Sequence, residues 1–460
     1  MNKNQQVEGL NKKYEQGDLI YILNEKEKTA SILRGKSTNE SIFIPRSIQI
    51  GSTEYIIVSI LEKAFKEIKI KSIQFPIDSE IEIIEKEAFN SSSIESFTIP
   101  PKLRTISEKC FFCCGLLRKV EIPPNSNLLT IEDYAFFNSI IENFTTPLHL
   151  TYIGKSAFSL CQELKTFEIP MNSELRTIDE CAFYKTPIER FSIPARLIEL
   201  NEGWCGLTSK LTSICVSQDN PRYANSGDKM VIGKSTNESQ DYDVLVFCAR
   251  DVVNITIPIF IKTVGAHAFS GCEKVQLIEF PSNSNLLTID NYAFYYSSIK
   301  HVSIPSNLNR IKQFAFHWCR HLRQFEIPKN SELASIELNA FSFSSIECFT
   351  VPSGLQRIGG RAFFWCKKLR KVEISNNSKL IEIGIESFAN TPIECFIIPS
   401  SVQLINRCAF SQCKKLQIIE IDENSNIQKI DINTFRGSKQ TIIMIPTQKI
   451  NLLYNFVNYK

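Results

Sequence analysis

Fourteen phenylalanines recur along this chain: Phe65, Phe89, Phe111, Phe136, Phe158 and Phe183, then Phe269, Phe294, Phe316, Phe341, Phe363, Phe388, Phe410 and Phe435. From Phe89 onward the intervals alternate between 22 and 25 residues, broken once after Phe183, where Cys205 stands in the first vacant place. A fixed period of this length means one small unit copied along an axis, each copy burying its apolar face against the next. The expected architecture is a solenoid, and the question of function passes from a pocket to a surface.

Superimposing the copies yields one template: Leu-x-x-(Phe/Val/Ile)-x-Ile-Pro, a polar stretch, Leu-x-x-Ile, a few polar residues and Ala-Phe. Leu164, Phe167, Ile169 and Pro170 with Leu175, Ile178, Ala182 and Phe183 are one instance. The shared parity of Phe167 and Ile169 is that of a strand with one buried face. Proline cannot donate to a ladder, so Pro100, Pro123, Pro170, Pro281 and Pro352 mark where pairing ends. Identical strands returned by short legs must stack in parallel, about 4.8 Å apart. One long parallel β-sheet with short turn or helical return legs is therefore expected.

Two kinds of rung alternate, so the true period is 47 residues. The long rung carries an Asn-Ser pair, as at Asn125-Ser126, Asn172-Ser173, Asn283-Ser284 and Asn330-Ser331. Such side chains bond nearby backbone, which reads as support for a wider turn.

The runs Ile153-Gly154-Lys155-Ser156-Ala157-Phe158-Ser159-Leu160-Cys161 and Val264-Gly265-Ala266-His267-Ala268-Phe269-Ser270-Gly271-Cys272 resemble the I-G-x-x-A-F-x-x-C signature of BspA-like leucine-rich-repeat proteins. The strand "LKTFEIP" is similar too, and the resemblance spans roughly residues 41 to 440. It implies a curved leucine-rich-repeat solenoid. It further implies a surface antigen or adhesin whose partner is protein, such as extracellular matrix or a host-cell surface protein.

At 460 residues and 43% hydrophobic content the chain could hold two or three globular domains, but the continuous repeat argues for one extended body. A net charge of +3, with no run of five like charges, makes nucleic acid or an acidic membrane a poor partner. No stretch approaches the length of apolar residues that a membrane span requires. The amino terminus lacks the apolar core of a secretory signal, which conflicts with the surface role that the resemblance implies.

Of fifteen cysteines, Cys114, Cys161, Cys272, Cys319, Cys366 and Cys413 each sit three residues after a Phe. Neighbours in that column lie two rungs apart, about 10 Å, beyond the roughly 7 Å a disulfide spans. They read as small buried apolar residues. Cys110, Cys113, Cys181 and Cys408 could pair locally. Unprotected thiols fit a reducing compartment.

Residues 1–60 break the period and read as an amino-terminal cap, 61–205 and 259–440 as two blocks of repeats, 206–258 as an irregular rung or insert, and 441–460 as a carboxy-terminal cap.

Between the two buried strand residues, the long rungs place Glu121, Glu168, Glu279, Glu326, Glu373 and Glu420 outward. The short rungs place Thr98, Thr145, Ser192, Ser303 and Thr350 there, with Ile397 as the exception. Alternating carboxylate and hydroxyl stripes make the candidate partner-binding face, against the plainer reading of a solvated surface. Glu95, Glu142, Glu347 and Glu394 adjoin Arg118, Lys165, Arg370 and Gln417 on the next rung, which suggests ion pairs between rungs.

Signals for catalysis or cofactors are weak. The heptapeptide GKSTNES occurs at Gly35 and again at Gly233, but no glycine stands where a phosphate-binding loop needs one. His317 and His321 would share a metal-binding face only on a helix, and sister repeats place unrelated residues there. No catalytic residue, cofactor or metal is assigned. The sequence is read as a non-catalytic protein-binding repeat protein, with an intracellular interaction scaffold as the competing reading.

Overall fold

The computed structural model describes residues 11–36, 40–375, 377–422, 424–431, 433–438 and 442–444. It divides into two compact units, one ending at Pro221 and one beginning at Arg222. The boundary falls inside the segment 206–258. Both units are parallel β-solenoids, and no helix occurs among the described residues.

Each rung contributes two strands rather than the single one expected. The Leu-x-x-Phe segment forms strands of three or four residues, such as Thr166–Glu168. The Leu-x-x-Ile segment forms strands of two, such as Thr177–Ile178. The second set stacks in long ladders, in which Ile106, Ile131, Ile153 and Ile178 are successive partners in the first unit. Ile289, Ile311, Ile336 and Ile358 do the same in the second. Two-residue strands leave too little alternation to be legible as strands in sequence; their stability comes from repetition across rungs.

The legs between the ladders are turns with two left-handed corners, placed two residues before and two after the Phe. Lys109 and Cys113 around Phe111 have φ of 56° and 55°. At these corners the backbone amide points along the axis, so Cys113 donates to Phe137 O at 2.8 Å. Phe111 N donates to Ala135 O at 2.7 Å. The leg thus builds its own ladder without a helix, and its polar backbone groups are met by the neighbouring rung.

The core is the phenylalanine column. Phe89, Phe111, Phe136 and Phe158 lie fully buried, with successive ring centroids 5.1, 5.2 and 5.1 Å apart and planes within 20°. That separation follows from the rung spacing of about 4.8 Å. Phe144 and Phe167 meet Phe158 edge-on at 4.9 and 5.1 Å, which suits the ring quadrupoles. Cys205 occupies the Phe register position as expected, since Phe183 N donates to Trp204 O. It is Trp204 that lies edge-on to Phe183, 6.5 Å away.

Both units open with antiparallel strands. In the first, Asn11–Gln16, Leu19–Asn24 and Thr29–Gly35 form a meander, and Thr29–Gly35 joins the parallel ladder through Thr53–Ile60. In the second, Tyr223–Ser226, Met230–Gly233 and Val244–Cys248 form another, joined through Thr263–Val264. Each begins at a Gly-Asp turn whose glycine, Gly17 or Gly227, has φ near 60°, a conformation glycine adopts at low cost. The expected carboxy-terminal cap at 441–460 lies outside the described residues, apart from Ile442–Met444, which pairs with Ile418–Ile421.

Candidate functional site

The register sets glutamates and hydroxyls side by side. Thr98 is the ladder partner of Glu121, Thr145 of Glu168, Ser303 of Glu326 and Thr350 of Glu373. Three of these hydroxyls donate to the carboxylate: Thr98 at 3.1 Å, Thr145 at 3.3 Å and Thr350 at 3.4 Å. Glu279 receives the same bond, at 3.0 Å, from Thr256, a residue whose place in the column the template does not reveal because it falls at the irregular segment. Ser192 instead faces Cys215, and Glu420 faces Ile397. All six glutamates are exposed.

The carboxylates are also partly neutralised along their own strands. Lys119 pairs with Glu121 and Lys371 with Glu373 at 2.6 Å, while the His301 imidazole reaches Glu326 from the adjacent strand at 3.1 Å. Lys119, and secondarily Thr98, hold the Glu121 carboxyl below its ordinary range; Lys371 does the same for Glu373. In the first unit a shallow depression of about 910 Å³ opens on this face, bordered by Arg118, Lys119, Glu121, Glu142, Thr145 and His149.

The expected ion pairs between rungs are built differently. Arg118 bonds Glu142 on the following rung at 2.9 Å rather than Glu95. Its amide, not its guanidinium, binds Glu95, through the backbone carbonyl at 2.9 Å. Amides of Lys165, Arg370 and Gln417 likewise donate to carbonyls of Glu142, Glu347 and Glu394. These positions neighbour one another because the backbone ladder places them so.

The remaining columns have structural duties. Ser126, Ser173, Ser284 and Ser331 each accept, through the hydroxyl, the amide two residues on, at 3.2 to 3.3 Å. Cys161 donates to Phe136 O at 3.1 Å and meets the Ser139 hydroxyl at 3.3 Å; Cys319 and Cys366 repeat the arrangement. Burial pushes these three thiols up to about 12, which removes them as nucleophiles at neutral pH. All fifteen cysteines are free. At Cys272 the serine is replaced by Arg250, fully buried and 3.3 Å from the sulfur, with its guanidinium 4.6 Å above the Phe247 ring.

The heptapeptide glycines are packing positions: a Cβ on Gly35 would strike the Phe65 ring, and one on Gly233 would lie 2.8 Å from Val246. Ser235 bonds Asp243 through amide and hydroxyl at 3.0 and 3.3 Å. His317 lies in a turn, against Tyr295 and the Ser342 hydroxyl, and burial pushes it down to about 4. Among the described residues no cluster of His, Cys, Asp and Glu could hold a metal ion.

A rung of two short strands, a buried Phe column and a Cys column is a specific combination. Residues 37–147, 129–226, 244–370 and 334–458 match the family model described as BspA type leucine rich repeat region (6 copies). This chain belongs to the BspA-type leucine-rich-repeat family.

No curated protein matches the chain. Among solved structures, this BspA-type chain is similar to a leucine rich cell surface protein from Faecalibacterium prausnitzii A2-165, at 18% identity over 98% of each chain with a TM-score of 0.53. It is similar to the pneumococcal vaccine antigen PcpA at 19% identity over 97% of this chain and 96% of that one, with a TM-score of 0.61. A leucine-rich repeat protein from Eubacterium ventriosum ATCC 27560 matches at 18% identity over 90% and 95% of the two chains, with a TM-score of 0.52. At such identities the likeness is one of fold.

Proposed function

We propose that this BspA-type protein is a non-catalytic surface antigen or adhesin. It binds protein, extracellular matrix or a host-cell surface protein among the candidates, through the exposed face of its three- and four-residue strands. The observation that carries this reading is the interleaved hydroxyl and carboxylate lattice, repeated on adjacent rungs and exposed on both units. A regular polar face of this kind is how solenoids offer extended binding surfaces. The reading is also supported by two structural neighbours, one described as a cell surface protein and one as a vaccine antigen.

The fifteen free thiols favour a second reading, an intracellular scaffold with the same binding face. Labelling intact native cells with a membrane-impermeant reagent, beside a cytosolic control, separates the two. Labelling of this chain alone supports the adhesin; its absence transfers the assignment to the scaffold. Glu326→Lys combined with Glu373→Lys should then weaken the captured partner while leaving the fold intact. Unchanged binding would remove the glutamate column from the interface.

A further inference from the structure

The left-handed corner two residues after each buried Phe is occupied in the first unit by residues such as Ser91, Asn138 and Lys185. In the second unit four consecutive rungs place Tyr296, Trp318, Phe343 and Trp365 there, with φ of 58° to 60°. Gly271 precedes this run and Asn390 follows it. Large aromatic side chains are disfavoured in this conformation, where glycine and asparagine are the usual occupants. Core packing does not explain them, because Tyr296 is 43% and Trp365 37% exposed.

The four rings form a ladder of their own, with centroids 6.0, 5.0 and 5.7 Å apart and planes within 30°. Cations accompany it. The Arg320 guanidinium lies 4.2 Å over Trp318, and the Lys367 ammonium 4.1 Å over Trp365. Each begins a basic pair, Arg320-His321 and Lys367-Lys368, and Lys414-Lys415 follows at the same 47-residue spacing. The corresponding positions in the first unit are Gly115-Leu116, Gln162-Glu163 and Ser209-Lys210, and Glu273-Lys274 stands at the start of the second. Among the described residues no carboxylate forms an ion pair with Arg320, Lys367, Lys368, Lys414 or Lys415. The stripe therefore offers aromatic edges beside uncompensated positive charge.

Its geometry selects among anionic ligands. Basic pairs recur every two rungs, about 10 Å apart, close to the length of one disaccharide in a linear polysaccharide and longer than the step between phosphates in a nucleic acid strand. Nucleic acid bases also need free aromatic faces to stack on, and here the faces are taken by neighbouring rings and cations. The doubled lysines at Lys367-Lys368 and Lys414-Lys415 call for more than one charge per disaccharide, which is the density of a sulfated chain. We propose that the aromatic and basic stripe carried by Tyr296, Trp318, Phe343 and Trp365 with Arg320 and Lys367 is a docking site for a linear sulfated polysaccharide. It lies on the return legs and is independent of the sheet-face lattice.

The test measures binding of the full chain to heparin, hyaluronan, polyuridylate and polyglutamate by calorimetry at about 0.15 M ionic strength. Heparin should bind most tightly. Arg320→Gln with Lys367→Gln should weaken it roughly tenfold, since counterion release scales with the charges neutralised. Lys165→Gln with Lys185→Gln, an equal loss of charge at exposed positions of the first unit outside the basic-pair column, should leave it unchanged. Replacement of Trp318 and Trp365 by Leu should weaken heparin binding while the unfolding transition of the second unit, which carries both residues, stays cooperative. No heparin binding overturns the proposal, as does equal or tighter binding of hyaluronan, polyuridylate or polyglutamate. An equal loss in both lysine and arginine variants overturns it too, because net charge alone would then explain the affinity.

Discussion

The Thr98 hydroxyl donates to Oε2 of Glu121 across the ladder at 3.1 Å, while Lys119 closes on the same carboxylate from within its strand. The outward column is thus a lattice of small, exposed polar contacts joining one rung to the next. Contacts of this kind align strands more than they stabilise them.

Thr98→Val should consequently change the unfolding free energy by no more than about 0.5 kcal/mol, as expected for an exposed polar contact. Urea denaturation of the variant measures this directly. A loss of several times that size would mean that the lattice holds the fold together rather than decorating it.

The buried column carries the opposite expectation. Phe136 is stacked between Phe111 and Phe158 and is wholly inaccessible. Phe136→Ala removes a large ring from a core that cannot collapse across a fixed rung spacing, at a cost of about 3 to 5 kcal/mol. The same titration should show the first unit unfolding at markedly lower urea. A shift equal to that of Thr98→Val would contradict the assignment of the column as core.

Thiol chemistry separates two classes of cysteine. Cys215, Cys348 and Cys395 are exposed, whereas Cys161, Cys319 and Cys366 are buried with their thiols pushed up to about 12. Brief alkylation of the native protein near neutral pH should modify the exposed three first and spare the column until denaturant is added. Peptide mapping that finds Cys161 modified at the rate of Cys348 would show that the rungs open readily.

Acid should begin to destabilise the second unit as pH falls below about 6.5. His267 is buried against Tyr292 at a ring distance of 4.8 Å, and burial, with Arg250 secondarily, pushes it from 6.5 down to about 4. The unfolded chain takes up this proton as pH falls below 6.5 and the folded one does not, so stability declines between pH 6.5 and about 4 and levels below. The shift corresponds to a loss on the order of 3 kcal/mol. Thermal melts of His267→Phe across that window should show a flatter profile than the parent, and an identical slope would exclude His267 as its source.

Much of the fold was legible before the structure. Phe136, Phe144, Cys161 and Ser173 each recur at a constant offset within the rung, so their burial follows from the period alone. The two-residue strand at Thr177–Ile178 was not legible, because a pair of residues has no alternation to read and the ladder is visible only across rungs. The antiparallel meander at 223–248 was hidden for a related reason: like its counterpart at 11–35, it lies outside the 47-residue repeat.

The candidate face divides in the same way. That Glu121 and Thr98 point outward was determined by strand parity within each rung. That they touch, that Arg118 reaches Glu142 rather than Glu95, and that Trp318 and Trp365 line up under Arg320 and Lys367 was decided only by the tertiary structure. The physical reason is one of range. Which residues are buried depends on a local pattern repeated in every copy, whereas the partner of an exposed side chain depends on register between rungs and on left-handed corners whose residues give no local sign of what lies beside them.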